Sequence, residues 1–195
     1  MADLPRYVVF DIETANTFQE AGSTDPAKLE LALVGVYESH TDSYSSYIES
    51  ELPKLWSILE QTDLLIGFNS EHFDVPLLNK YYPGDLTIIP HLDLLTEVHK
   101  ALGRRVRLQS LAEATLKTKK GGSGLESITW WKNGEVEKVR KYCLKDVEIT
   151  KKLFDYALEH KALKYADFGR ARDIAIDTSK WLEAVTPVMT HTLPF

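Results

Sequence analysis

The chain has 195 residues, 44% of them hydrophobic and 27% charged, with a formal net charge of −6. That length suits one domain with a sizeable core and is short for two, and the composition excludes disorder throughout. No apolar stretch approaches the roughly 20 residues that cross a bilayer. Cys143 is the single cysteine, which excludes an internal disulfide, and the opening MADLPRY lacks the pattern of a secretory leader, so a reducing, cytoplasmic setting is expected.

Charge is unevenly spread. Between His99 and Lys120 stand seven cations, Lys100, Arg104, Arg105, Arg107, Lys117, Lys119 and Lys120, against the single anion Glu113. An acidic body with one basic strip can hold metal ions in one place and phosphates beside it, although a solvated helix face has the same composition.

In chain order, Tyr7 to Glu13 (YVVFDIE) is a β-branched and aromatic strand running into two carboxylates. AGSTDPAK follows as a surface loop. LALVGVYES and DSYSSYIES form a hairpin through His40, Thr41 and Asp42. ELPKLWSILEQ is a helix with Leu52, Leu55, Trp56 and Leu59 at helical spacing. DLLIGFN is a buried strand leading into FDVPLLNKYY, where Pro76 suits the first turn of a short helix. LTIIPHLDLL is apolar enough for a further core strand, SLAEATLK favours a helix, and KTKKGGSGLES is expected as a basic loop. The longest helical pattern runs from about Glu135 to Glu159. LKYADF and ARDIAIDTSKW then alternate like a last hairpin. Strands alternating with helices after an opening hairpin imply a mixed α/β sheet covered by helices. Residues 1–180 are expected to form one domain, with 181–195 as a tail.

Asp11 and Glu13 share one face of the first strand, because side chains alternate with period two. Such neighbours repel unless a cation lies between them or the strand simply ends in water. Asp74 stands where an acid caps a helix or binds a metal. Tyr142 and Asp146 are stacked one turn apart on the long helix. Alone, each has an ordinary structural explanation.

Taken together and in order, FDIE, NSEHFD and YCLKD resemble the three motifs of the DEDD superfamily of 3′–5′ exonucleases, in its tyrosine (DEDDy) form. The match is similar to the proofreading exonuclease domains of family B DNA polymerases and to related stand-alone nucleases. Lys141 stands where the histidine form would need His. The resemblance implies an RNase H-like mixed five-stranded sheet flanked by helices. It also implies catalytic roles for Asp11, Glu13, Asp74, Tyr142 and Asp146, the four acids holding two Mg²⁺ or Mn²⁺ ions. Two ions about 4 Å apart would activate a water and stabilise the departing oxygen, and oxygen-seeking ions suit a carboxylate set. Asp11 is expected to bridge both ions, with Glu13 and Asp146 mainly on one and Asp74 on the other. Tyr142 would orient the water, since a phenol with an ordinary pKa near 10 is a poor base at neutral pH.

Substrate contacts are expected from Asn69, His72, Phe73, Lys119, Lys120 and Trp130, the last by stacking on a base. Phe73 is equally suited to the core, and one of the two tryptophans Trp130 and Trp131 is better suited to the core than to stacking. His91 and Asp93 read as structural, and Cys143 as core. The activity implied is hydrolysis at single-stranded DNA or RNA 3′ ends, with release of nucleoside 5′-monophosphates. The competing readings are a structure-specific or RNA–DNA hybrid endonuclease and a silent nucleic-acid-binding domain.

Overall fold

The computed structural model describes residues 5–118, 123–167 and 170–183. Five strands, β1 (Tyr7–Thr14), β2 (Leu31–Glu38), β3 (Ser43–Ile48), β4 (Leu64–Gly67) and β5 (His91–Asp93), form a mixed sheet in the order β3-β2-β1-β4-β5. β1 pairs antiparallel with β2 and parallel with β4. The helices are α1 (Phe18–Ala21), α2 (Leu52–Leu59), α3 (Asp74–Asn79), α4 (Leu94–Leu102), α5 (Leu108–Leu111, continued by a π turn over Ala112–Leu116), α6 (Gly124–Lys132) and α7 (Val136–His160). A separate antiparallel hairpin, β6 (Ala162–Asp167) and β7 (Arg170–Ala175), follows α7. The mixed five-stranded sheet flanked by helices is the arrangement that the motif resemblance implies, and the C-terminal hairpin is the one expected from the alternation.

Alternation along β1 divides the core. Val8, Phe10 and Ile12 face a cluster with Leu55, Leu77 and Leu78 from α2 and α3. Val9 faces the other side, where Leu153 and Phe154 of α7 lie. Asp11 and Glu13 have the parity of Val9 and therefore turn toward α7. The buried positions of α7, from Val139 through Tyr142, Cys143 and Asp146 to Ala157, recur at steps of one to three residues and make one stripe.

Three segments differ from the sequence expectation. Of LTIIPHLDLL, only His91–Asp93 is strand; Pro90 precedes it, and the Asp93 carboxylate takes the Leu95 and Thr96 N–H groups and starts α4. The expected loop around Gly124 is the beginning of α6, with Ser123 as its cap. The chain after Asn16 forms the short α1, whose Thr17 and Glu20 side chains each accept the other's backbone N–H. Trp181, the first residue of the expected tail, stacks on Phe154 with ring centroids 5.6 Å apart; residues 184–195 lie outside the described residues. Among the described residues no helix is long and apolar enough to cross a membrane.

His91 carries a pH dependence. Its Nε2 lies 2.8 Å from Ser70 Oγ, its ring meets the Phe10 ring edge-on, and burial lowers its pKa to about 4. The unfolded chain, with an ordinary histidine near 6.5, binds this proton first, so the stabilising contribution is complete above pH 6.5 and is lost as pH falls toward 4. The drop is expected to reach about 3 kcal/mol. Urea unfolding of the wild type and of His91→Gln at pH 7 and pH 4.5 checks it: the variant's midpoint should fall less.

Candidate active site

Asp11, Glu13, Asp74, Tyr142 and Asp146 line one cavity of about 450 Å³ together with Asn69 and Phe73. They arrive from three parts of the fold: the C-terminal half of β1, the β4–α3 turn with the first residue of α3, and the middle of α7. Glu13, Asp74, Tyr142 and Asp146 are respectively 6%, 4%, 5% and 2% exposed, whereas Asp11 is half-buried. Carboxylates this deep need compensation. For Asp74 part of it is tertiary: its Oδ1 accepts the Ile12 backbone N–H at 3.0 Å, tying α3 to β1. Even so, burial first and the Asp11 charge second push the Asp74 carboxyl well above the ordinary carboxylate range.

The close approach of α7 to β1 depends on β2. Gly35 pairs with Asp11 across the ladder, and a Cβ there would lie 2.8 Å from Cys143 Sγ and 3.2 Å from Val147 Cγ2. Cys143 is thus the immediate neighbour of the cluster, its thiol donating to the Asp11 carbonyl oxygen at 3.3 Å and to Oδ2 at 3.5 Å. Burial, reinforced by the charges of Asp11 and Glu13, pushes that thiol well above its usual range. At neutral pH it is a neutral donor.

Among the described residues, ligand atoms of Asp11, Glu13 and Cys143 fall within 4.8 Å of one another. Asp74 and Asp146 line the same cavity but stand outside that closest group. Hard divalent ions such as Mg²⁺ and Mn²⁺ prefer the carboxylate oxygens of this group to its sulfur. Clustered carboxylates, among them Asp74 with its pKa raised by burial and by the Asp11 charge, form a donor set suited to a hard divalent cation.

The expected substrate contacts divide. Asn69, in the left-handed region at φ +64°, lines the cavity, and its side-chain oxygen accepts a hydrogen bond from Arg105. Phe73 lines the cavity and meets Phe18 edge-on at 6.1 Å. His72 lines a neighbouring cavity instead. The Trp130 ring packs at 75° against Tyr142, and both Trp130 and Trp131 lie against the Leu33, Val139 and Cys143 cluster. Trp130 therefore buttresses the tyrosine, and it is not among the residues lining the cavity. Lys119 and Lys120 lie outside the described residues.

Sequence reasoning missed the apolar wall: Phe18 on α1, and Leu125 and Ile128 on α6. Leu125 is 70% exposed, unusual for a leucine beside an acidic cluster. An ion pair between Glu20 and Lys132 joins α1 to α6. Both short helices were announced by the same signal, a hydroxyl residue followed three positions later by glutamate: Thr17 with Glu20 and Ser123 with Glu126.

The fold class is RNase H-like, and the chain belongs to the RNase_H superfamily, whose family model matches residues 8–158. None of the curated proteins compared matches it. Among solved structures it is similar to the family B DNA polymerase from the hyperthermophilic archaeon Pyrobaculum calidifontis, with a TM-score of 0.61 and 20% sequence identity over 79% of this chain and 24% of that one. The chain thus spans about a quarter of that polymerase's length, and the likeness is one of fold.

Proposed function

We propose that the protein is a divalent-metal-dependent nuclease, and more specifically a 3′–5′ exonuclease of the tyrosine type that trims single-stranded DNA or RNA and releases nucleoside 5′-monophosphates. The observation that carries the reading is the convergence of four carboxylates and a tyrosine, drawn from β1, α3 and α7, into one cavity with an apolar wall. Membership of the RNase_H superfamily supports the nuclease class. Similarity to a polymerase supports a nucleic-acid substrate.

Asp11, Glu13, Asp74 and Asp146 would hold Mg²⁺ or Mn²⁺, which when bound supplies positive charge for a nucleophilic water and for the departing 3′-oxygen. The chain's own residues do the rest. Asp74, fixed to the Ile12 N–H, sets the position of α3 relative to β1. Tyr142, buttressed by Trp130, offers a hydroxyl to orient the attacking water by a hydrogen bond. Phe18, Phe73, Leu125 and Ile128 present an apolar surface to the terminal base and keep bulk water from it. Asn69 offers an amide to a sugar or phosphate oxygen.

One gel tests the proposal. With 5′-labelled single-stranded DNA and RNA plus Mg²⁺ or Mn²⁺, the expected result is a ladder that shortens from the 3′ end and vanishes with chelator. Internal cuts on hybrid or structured substrates would instead establish an endonuclease, and binding of strands without cleavage a silent domain.

A further inference from the structure

Beside the acidic cavity lies a second one of about 350 Å³, and Asn69 lines both. This volume is within the range of small-ligand sites. Its wall includes His72, His99, Lys100 and Arg105, together with the acids Glu71 and Asp93.

The two acids are already engaged. The Asp93 carboxylate accepts four backbone N–H groups, those of Asn69 at 2.8 Å, Glu71 at 3.1 Å, Leu95 at 2.8 Å and Thr96 at 3.4 Å. Glu71 Oε2 accepts from Thr96 Oγ1 at 3.1 Å. The cations are more available. Arg105 is exposed and donates to Asn69 Oδ1, and a guanidinium carries five N–H donors in all. Lys100 is paired with Glu97 at 2.7 Å, but its side chain is 67% exposed, and a pair so open to water contributes little and exchanges readily.

We propose that this second cavity is the subsite for the strand upstream of the cleaved bond. The phosphodiester one nucleotide upstream of the cleaved one passes over Asn69 and is held by Lys100 and Arg105, with His72 and His99 flanking it. Arg105 serves the crossing point as well: because a guanidinium can only donate, its bond to Asn69 Oδ1 leaves the Asn69 Nδ2 donor for the substrate. The inference rests on the nuclease reading and adds what that reading lacks, a track for the rest of the polymer. It also gives two cations of the basic strip, Lys100 and Arg105, a role beside the acids.

The test compares two substrates with Mn²⁺ present: a ten-nucleotide single strand, and the p-nitrophenyl ester of thymidine 5′-monophosphate, which has no upstream nucleotide. Lys100→Glu is expected to raise KM for the strand about tenfold and to flatten the dependence of log(kcat/KM) on log salt by about 0.7 for one lost phosphate contact. For the ester its KM should stay within about twofold of wild type, since nothing of that substrate reaches Lys100. Arg105→Gln should impair both substrates, because it also releases Asn69. Equal effects of Lys100→Glu on the two substrates, or none on the strand, would overturn the subsite while leaving the nuclease reading intact. Failure of the wild type to hydrolyse either would overturn both.

Discussion

Asp11→Asn is expected to remove metal-dependent cleavage, by at least about 100-fold, and at the same time to make the metal-free protein more stable. The two effects have one cause. The Asp11 charge is the second-largest reason, after burial, that the Asp74 carboxyl is held well above its ordinary range. A group whose pKa is raised by folding contributes its stability at low pH and loses it as pH rises through the folded value. At neutral pH the metal-free cluster is therefore under electrostatic strain, and neutralising Asp11 relieves it by about 1 kcal/mol, the trade expected where function needs a destabilised site. Mn²⁺ should reverse the ranking: an ion that binds only the folded state at 100 times its Kd stabilises the wild type by about 2.7 kcal/mol, and the variant by far less. Urea midpoints with and without Mn²⁺, alongside the cleavage assay, check each part. A variant that cleaves normally, or is less stable than wild type without metal, contradicts the assignment of Asp11.

Gly35→Val should be nearly as damaging, although residue 35 holds no reactive group. Its Cβ alone would stand 2.8 Å from Cys143 Sγ and 3.2 Å from Val147 Cγ2, on the helix that carries Tyr142 and Asp146. Overpacking of this kind costs about 1–3 kcal/mol, and the helix relieves it by moving off the sheet. A displacement near 1 Å between Asp11 on β1 and Asp146 on α7 is expected to lower activity about 100-fold, since positioning is steeply distance-dependent. The protein should remain folded, with a lowered melting temperature and weakened Mn²⁺ binding. Gly35→Ala should show a milder form of both defects. Adding Cys143→Ala to Gly35→Ala removes the closest clashing atom and should restore most of the activity. If the double variant is no better than Gly35→Ala alone, the close contact is not what positions α7.

Much of the fold was legible because its signals are local. The strand parity of Asp11 and Glu13, the hairpin through Asp42, and the long stripe of α7 all follow from periodicities within a few residues. The first and third motifs lie on the elements expected for them, and the second spans the turn into α3. The elements that escaped notice were short. α1 and α6 lack a long apolar pattern and declare themselves mainly by their caps, while α4 was hidden because its apolar start continues that of β5 without a break. Reading Thr17 with Glu20 and Ser123 with Glu126 as helix starts would have found two of the three.

By itself the sequence determined the mixed sheet, the order of its carboxylates, and which side chains share a strand face or a helix face, because these depend on backbone period alone. Tertiary structure decided which of those faces meet. It placed Cys143 against Asp11, turned His72 away into a second cavity, set Trp130 behind Tyr142, and brought Phe18 and Leu125 together across more than 100 positions of chain. Cavities form between elements distant in sequence, at separations fixed by how closely side chains such as the missing one at Gly35 allow helix and sheet to approach, and no local pattern encodes that distance.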